Sequence, residues 1–282
     1  MALLPSPYSK VERLPAGEGT IYLTQHGLQT VSFQYPLKLI APDRHISLDD
    51  EHVTVLFLLT YGGGLVGGDK INLKAELADG TRLSLLTQGS TKIFKSPNRQ
   101  VVSGQVLDVK IGAGAALCYL PDPNQPFAES VYEQKQTFYV DKTGKSNLLM
   151  LDWVSEGRRA RGESWTLWSW KGRNEVRVFD EKGKGRLLLR DALQLSEGHV
   201  EGVGLQQKTD SLGIYGTLII YGHMFSQLGT FFMDNFRGLP RIGAKNWSES
   251  TKSNEAAASE DSSSSNLAQR TSIAPDSGWE VS

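Results

Sequence analysis

The stretch Tyr61-Gly62-Gly63-Gly64-Leu65-Val66-Gly67-Gly68-Asp69-Lys70 runs into Ile71-Asn72-Leu73-Lys74-Ala75-Glu76-Leu77, and the junction decides the fold class. Five glycines fall within seven residues, directly after the apolar run Val53–Leu59. Such density marks a backbone that turns hard, uses positive φ or approaches another group closely. Gly62, Gly64 and Gly67 fit G-x-G-x-x-G, but a dinucleotide fingerprint needs a helix to begin at its last glycine. The next residues alternate instead: Ile71, Leu73, Ala75 and Leu77 against polar neighbours, which is a strand. No acid lies between Leu83 and Ser90 to hold a ribose, and Gly68 is followed by Asp69 rather than by the Lys and Ser or Thr of a P-loop.

Outward from this junction, strand signals dominate. The pattern predicts strands at 20–25, 28–34, 53–59, 71–77, 81–87, 101–111, 115–120, 131–140, 146–151, 164–170, 174–180, 186–195 and 214–221, from alternation and from Val, Ile, Tyr, Phe and Trp enrichment. Asp79-Gly80, Gly112-Ala113-Gly114, Thr143-Gly144-Lys145 and Lys182-Gly183-Lys184-Gly185 supply turn chemistry between them. The expected architecture is a mainly β, many-stranded scaffold of coiled or sandwich-like sheets with one or two short α-helices. One segment changes period: Met224, Phe225, Leu228, Phe231, Phe232 and Phe236 recur at helical intervals before Gly238-Leu239-Pro240. Its aromatic face is expected to pack on its own sheet. A single β domain over 1–245 and a Ser-rich disordered tail over 246–282 complete the expectation, with Trp279-Glu280-Val281 hinting at a strand.

Composition narrows the function classes. With 30 Lys and Arg against 31 Asp and Glu, the net charge of −1 points to neither nucleic acid nor an anionic membrane as a partner. A single cysteine rules out an internal disulfide framework and fits a reducing compartment. No apolar run reaches the length of a membrane span, and Met1-Ala-Leu-Leu-Pro5 lacks the build of a secretory signal, so a cytoplasmic location is expected. Cys118, in the apolar stretch Ala115–Leu120, reads as a small buried hydrophobe.

Several blocks stand in a fixed order around the glycines: Leu86-Thr87-Gln88-Gly89-Ser90-Thr91-Lys92-Ile93-Phe94-Lys95-Ser96, Tyr119-Leu120-Pro121-Asp122-Pro123, Phe127-Ala128, Leu151-Asp152-Trp153 and Gly157-Arg158-Arg159-Ala160-Arg161-Gly162-Glu163. Over residues 18–245 this set resembles the UreD/UreH family of urease accessory proteins. Tyr35-Pro36-Leu37-Lys38-Leu39 and Phe231-Phe232-Met233-Asp234 look most like fungal members. The resemblance implies a non-catalytic β scaffold that docks a UreF-type helical partner. That partner recruits a UreG-type GTPase, and the assembly helps deliver Ni²⁺ to apo-urease through a polar internal passage. No tightly bound cofactor is implied, only Ni²⁺ in transit.

A passage that releases a dication wants carboxylate, carbonyl and water contacts rather than a thiolate or imidazole cage. His26, His45, His52, His199 and His223 are scattered, without H-x-H or C-x-x-C, which argues against a closed metal site. Asp69 is the expected oxygen donor on the route, with Lys92 fixing its carboxylate and Thr87, Gln88, Ser90 and Thr91 as polar lining. A structural ion pair or solvated strand end is the competing reading for Asp69 and Lys92. Gly62, Gly63, Gly64, Gly67 and Gly68 read as a strand corner, with or without a functional role. Arg158, Arg161 and Glu163 are candidates for a partner interface, against a solvated basic loop. His223 opens the helical segment, where a surface or capping role is the default.

Two other classes remain open: an enzyme using the Gly62–Asp69 loop for a phosphorylated or carboxylated ligand, and a β interaction module with no metal role. The chain departs from the family pattern after Pro240-Arg241-Ile242-Gly243, where a further strand and a helical segment are expected. The serine-rich tract there suggests an insertion followed by truncation, leaving a sheet edge unpaired.

Overall fold

The computed structural model describes residues 14–42, 46–48, 51–179, 185–196 and 204–239. The expected tail over 246–282, its terminal strand, the 240–243 departure, His45 and His199 lie outside the described residues. The chain divides into two units, Met1–Met233 and Asp234–Ser282. All described strands belong to the first. The second contributes residues 234–239 to the described set, where Arg237 pairs with Asp234 at 3.1 Å.

Strands β1 (Glu18–Thr24) and β2 (Gly27–Phe33) form a hairpin, and β3 (Leu37–Ile40) and β4 (Ile46–Leu48) both pair antiparallel with β5 (Glu51–Thr60). From β5 the chain winds as a coil. The first turn is β5, β6 (Gly64–Leu65) and β7 (Lys70–Leu77). The second is β8 (Arg82–Leu86), β9 (Thr91–Ile93) and β10 (Ser103–Ile111). The third is β11 (Ala116–Leu120), β12 (Asn124–Pro126) and β13 (Val131–Val140). The fourth is β14 (Asn147–Ser155), a corner and β15 (Ser169–Val178). Each strand pairs in parallel with its counterpart one turn later: β5–β8–β11–β14 on one wall, β7–β10–β13–β15 on the other, and β6–β9–β12 between them. The antiparallel strands β16 (Arg186–Ser196) and β17 (Ile214–Tyr221) close the ladders against β15 and β14.

Tight turns join the walls at one end of the coil. The predicted glycines Gly80, Gly114 and Gly144 adopt positive φ there, and the Asp79 carboxylate accepts the Ala113 amide at 2.8 Å. At the other end lie the long corners, 61–69, 87–102, 121–130 and 156–168, which hold the glycine segment and most of the ordered blocks around it. Between the walls, alternate positions of every strand are buried, giving one apolar core of Leu, Ile and Val with Tyr132, Phe138 and Trp170.

Two expectations need correction. The strand predicted at 164–170 is a corner up to Trp168, and the strands predicted there and at 174–180 are one, Ser169–Val178. Trp165, at φ 53°, breaks the pleat, and its indole donates to the Leu212 carbonyl at 2.8 Å, so its burial comes from anchoring a corner. The helical segment is helical, with α2 at Ser226–Gly238 after the single turn α1 (Leu205–Lys208), but α2 has no buried residue and Phe231 is 60% exposed. Its aromatic face is therefore not packed away among the described residues. No helix among the described residues is long and apolar enough to cross a membrane.

Candidate functional site

The glycine segment is the corner between β5 and β7; it opens with a 3-10 turn, Tyr61–Gly63, and leads into a strand, not an α-helix. Gly62 and Gly63 take φ of 73° in open space, the left-handed region where a side chain is strained. Gly64 is needed for close approach: a Cβ there would lie 2.3 Å from the Lys92 carbonyl oxygen of the next turn. The Asp69 carboxylate, half-buried, accepts the Val66 amide at 3.0 Å, while the Asp69 amide donates back to the Val66 carbonyl at 2.9 Å. Asp69 thus closes the glycine turn on itself. Lys92 is exposed, and no ion pair joins it to Asp69 among the described residues.

The second corner is held by the third. The Asp122 carboxylate accepts the Thr87 hydroxyl at 3.2 Å and the Gly89 amide at 2.7 Å, and the Thr87 hydroxyl accepts the Asp122 amide at 2.7 Å. Thr87 is committed to this lock, whereas Gln88 lies exposed and Ser90 and Thr91 are half-exposed. The fourth corner folds onto the third. Arg158 donates its Nε–H to Glu163 at 2.8 Å in a two-point pair and stacks 3.8 Å over the Phe127 ring. Glu163 also accepts the Ala128 amide. The Arg158 hydrogen bond holds the Glu163 carboxyl below its usual range. Arg161 points to solvent, so of the three residues singled out for an interface only Arg161 is free of that clamp.

The corners therefore bring the predicted residues to one end of the coil, in successive turns. Yet none of the predicted route residues enters the interior. The polar groups that do lie between the walls. On the inner face, the rung Leu73–Leu107 in the first two turns continues as Gln136–Asn174 in the last two. The rung Ile71 continues as Gln105, Gln134 and Gly172. Opposite them, Asp152 occupies an inward position of β14 between Met150 and Val154 and is 6% exposed.

These side chains form a continuous thread. Asn124, half-exposed at the third corner, donates to Gln134 at 3.1 Å; Gln134 donates to Asp152 at 2.6 Å. Asn174 donates to the other Asp152 oxygen at 2.8 Å and to Asp191, half-exposed on β16, at 3.3 Å. Tyr132 donates to Gln134 at 3.3 Å, and Gln105 donates to the Tyr119 hydroxyl at 3.2 Å. Burial pushes the Asp152 carboxyl above its usual range; the two amide donors oppose this and the Asp191 charge adds to it. The Asn174 carbonyl oxygen and the Gln136 carbonyl oxygen, on cross-strand partners, are buried without a hydrogen-bond partner. A hydrated cation could use such acceptors, since the lone pairs open to it here are on oxygen and none would hold it tightly. Among the described residues no three His, Cys, Asp or Glu side chains converge on a common point.

Asp152 stands within one of the ordered sequence blocks, but the block alone assigns it no role. The available signal was its register: Leu148, Met150, Asp152 and Val154 alternate inward, so a carboxylate sits where the pattern demands an apolar side chain.

The profile of the UreD urease accessory protein family matches residues 20–269. The chain is 31% identical over 215 residues to a ureD-like urease accessory protein of Schizosaccharomyces pombe, covering 75% of this chain and 72% of that one. It is 30% identical over 261 residues to urease accessory protein 4 of Cryptococcus neoformans, covering 81% and 77%. Urease accessory protein D of Arabidopsis thaliana is 29% identical over 206 residues, covering 73% and 67%. A match across most of its length, together with relatives from fungi and plants, places this chain in the UreD urease accessory protein family.

Proposed function

We propose that this protein is an accessory factor in urease maturation, non-catalytic, that assists delivery of Ni²⁺ to apo-urease within an assembly containing UreF- and UreG-type partners. Membership of the family supports the urease role. The observation that carries the metal reading is the amide–carboxylate thread Asn124–Gln134–Asp152–Asn174–Asp191, which begins and ends at half-exposed residues and crosses a largely apolar core. Ni²⁺ is cargo in this reading. Amide oxygens and the two carboxylates of Asp152 and Asp191 offer it successive weak contacts, and the orphan oxygens of Asn174 and Gln136 are acceptors it or its water shell could use. Asp69 and the residues at Thr87, Gln88, Ser90 and Lys92 lie at the corner end of the coil, outside the thread, and in this reading they line its approach. The exposed helix α2, with Phe231 and Phe232 in edge contact at 5.6 Å, supplies an apolar face suited to a helical partner.

The test is reconstitution of urease in a host that lacks a UreD-type protein, comparing wild type with Asp152→Leu. The expected result is apo-urease that accumulates normally but contains little nickel. Full nickel loading with Asp152→Leu at wild-type protein levels would remove the thread as the route, and full loading with no accessory protein at all would remove the maturation role.

A further inference from the structure

Parallel sheets ordinarily have both faces covered. The wall β7–β10–β13–β15 has its inner face in the core, while its outward positions Lys70, Lys74, Lys110, Lys135, Lys171 and Arg173 remain exposed. Register places these side chains in rows across the strands. One row is Lys70, Gly104, Glu133 and Lys171; the next is Asn72, Val106, Lys135 and Arg173. They line a cleft of about 580 Å³. Gly104 forms its floor, since a Cβ there would meet the Glu133 carbonyl oxygen at 2.8 Å.

The charges in this cleft are not balanced. Lys171 is paired with Glu133 at 2.8 Å, and Arg173 lies 3.7 Å from Glu175. Lys70 and Lys135 have no ion-pair partner among the described residues. On a chain with net charge −1, two unpaired cations fixed on rigid strands give a local positive field that the composition conceals. They are two strands and one two-residue step apart, which is about 12 Å between backbones at ordinary sheet spacings. A single small anion cannot bridge that distance. Carboxylates four residues apart on an extended chain share one face of it and, at about 3.3 Å per residue, can. A continuous phosphate backbone is disfavoured, because its closely spaced charges would also fall against Glu133 in the cleft, whereas spaced carboxylates can leave that position neutral.

We propose that this cleft docks an extended acidic segment of a partner protein, with carboxylates four residues apart meeting Lys70 and Lys135. This is independent of the nickel route, which lies on the other face of the wall. The test uses fluorescence anisotropy with a labelled Ser/Gly peptide carrying Glu at every fourth position, the same peptide with Gln for Glu, and a single-stranded DNA of equal charge. Wild-type protein should bind the Glu peptide at low salt, ignore the Gln peptide, and lose binding as salt rises. The double variant Lys70→Gln/Lys135→Gln should weaken binding about fivefold, as expected for two exposed charge pairs, while Lys145→Gln, in a turn at the opposite end of the coil, should not. Circular dichroism of the double variant checks that the exposed substitutions leave the fold intact. No binding by wild type, equal binding by the double variant, or tighter binding of the DNA would each overturn the proposal.

Discussion

Asn174 donates its side-chain amide to the Asp152 carboxylate at 2.8 Å and leaves its own carbonyl oxygen, buried, without a partner. Its cross-strand neighbour Gln136 has the same deficit. A carboxylate and two orphan acceptors make a region with more acceptors than donors, which only water, a proton or a cation can complete. The fold keeps this arrangement although burying polar groups costs stability, so removing it should separate stability from function.

Asp152→Asn is the sharpest way to do so. The amide keeps the shape, and Gln134 and Asn174 can turn their own amides to suit it, so stability at neutral pH should change by no more than about 1 kcal/mol. The pH dependence has a definite sign. Because the folded carboxyl lies above its usual range, the folded state holds that proton more tightly than the unfolded chain. Stability from this group is present at low pH and lost as pH rises through the folded value. The wild type should therefore gain on Asp152→Asn as pH is lowered toward the ordinary carboxylate range, read by urea unfolding at several pH values. A difference that does not change with pH would contradict the burial argument.

Glu175 should behave in the opposite sense. It is 3% exposed on the outer face of β15, in the opposite wall, and accepts Arg177 at 2.7 Å and Arg190 at 2.8 Å. Burial works against its charge, but the two arginine hydrogen bonds prevail and hold the carboxyl below its usual range. Its stabilising effect is thus present above the ordinary Glu value of about 4.3 and lost as pH falls through the lower folded value. Glu175→Gln should cost about 1–2 kcal/mol at pH 7, reduced by the solvent exposure of Arg190, and almost nothing in strong acid. Equal cost at both pH values would point to lost packing instead of lost charge.

Two glycines of one corner should respond differently to the same methyl group. At Gly64 the added Cβ would collide with the Lys92 carbonyl, part of the β6–β9 ladder, so neither backbone can yield without breaking pairing. Gly64→Ala should cost about 1–3 kcal/mol, the range for overpacking. At Gly62 nothing lies within 4 Å, and only the positive φ is penalised, at about 1 kcal/mol. Thermal melts of the two variants, compared side by side, check the order.

This corner also shows what sequence could reveal. The alternation at Ile71–Leu77 was enough to exclude a phosphate loop, because period two is a local property of one strand. The turns at Gly80, Gly114 and Gly144 were legible for the same reason. The coil was not, since parallel pairing links residues a full turn apart, as Leu56 with Leu85 and Leu85 with Tyr119. Nor were the short strands β9 and β12, too brief to show a period. At the site, the blocks that carry the family resemblance are largely corners that brace one another, as Thr87 and Asp122 do. Asp152 needed its opposite wall to be understood: a lone inward carboxylate gains meaning only when Gln134 and Asn174, from two other strands, are found to reach it.

The fourth corner allows a separation of folding from docking. Arg158 is half-buried, paired with Glu163 and stacked on Phe127, whose ring packs edge-on against Phe94 at 5.1 Å. Arg158→Ala removes the stacking partner and leaves Glu163 with only backbone donors, so it should lower the melting temperature. Lys at this position should restore little, because a point charge reproduces neither the two-point pair nor the stacking. Arg161, by contrast, is exposed and outside the clamp. Arg161→Ala should leave the melting temperature unchanged. If this corner faces a partner, it should still weaken capture by a purified UreF-type protein, with a larger loss at low than at high salt, since an exposed charge acts through a screened field. Unchanged capture with Arg161→Ala would confine the corner to a structural role, because Arg158 and Glu163 are already occupied with each other.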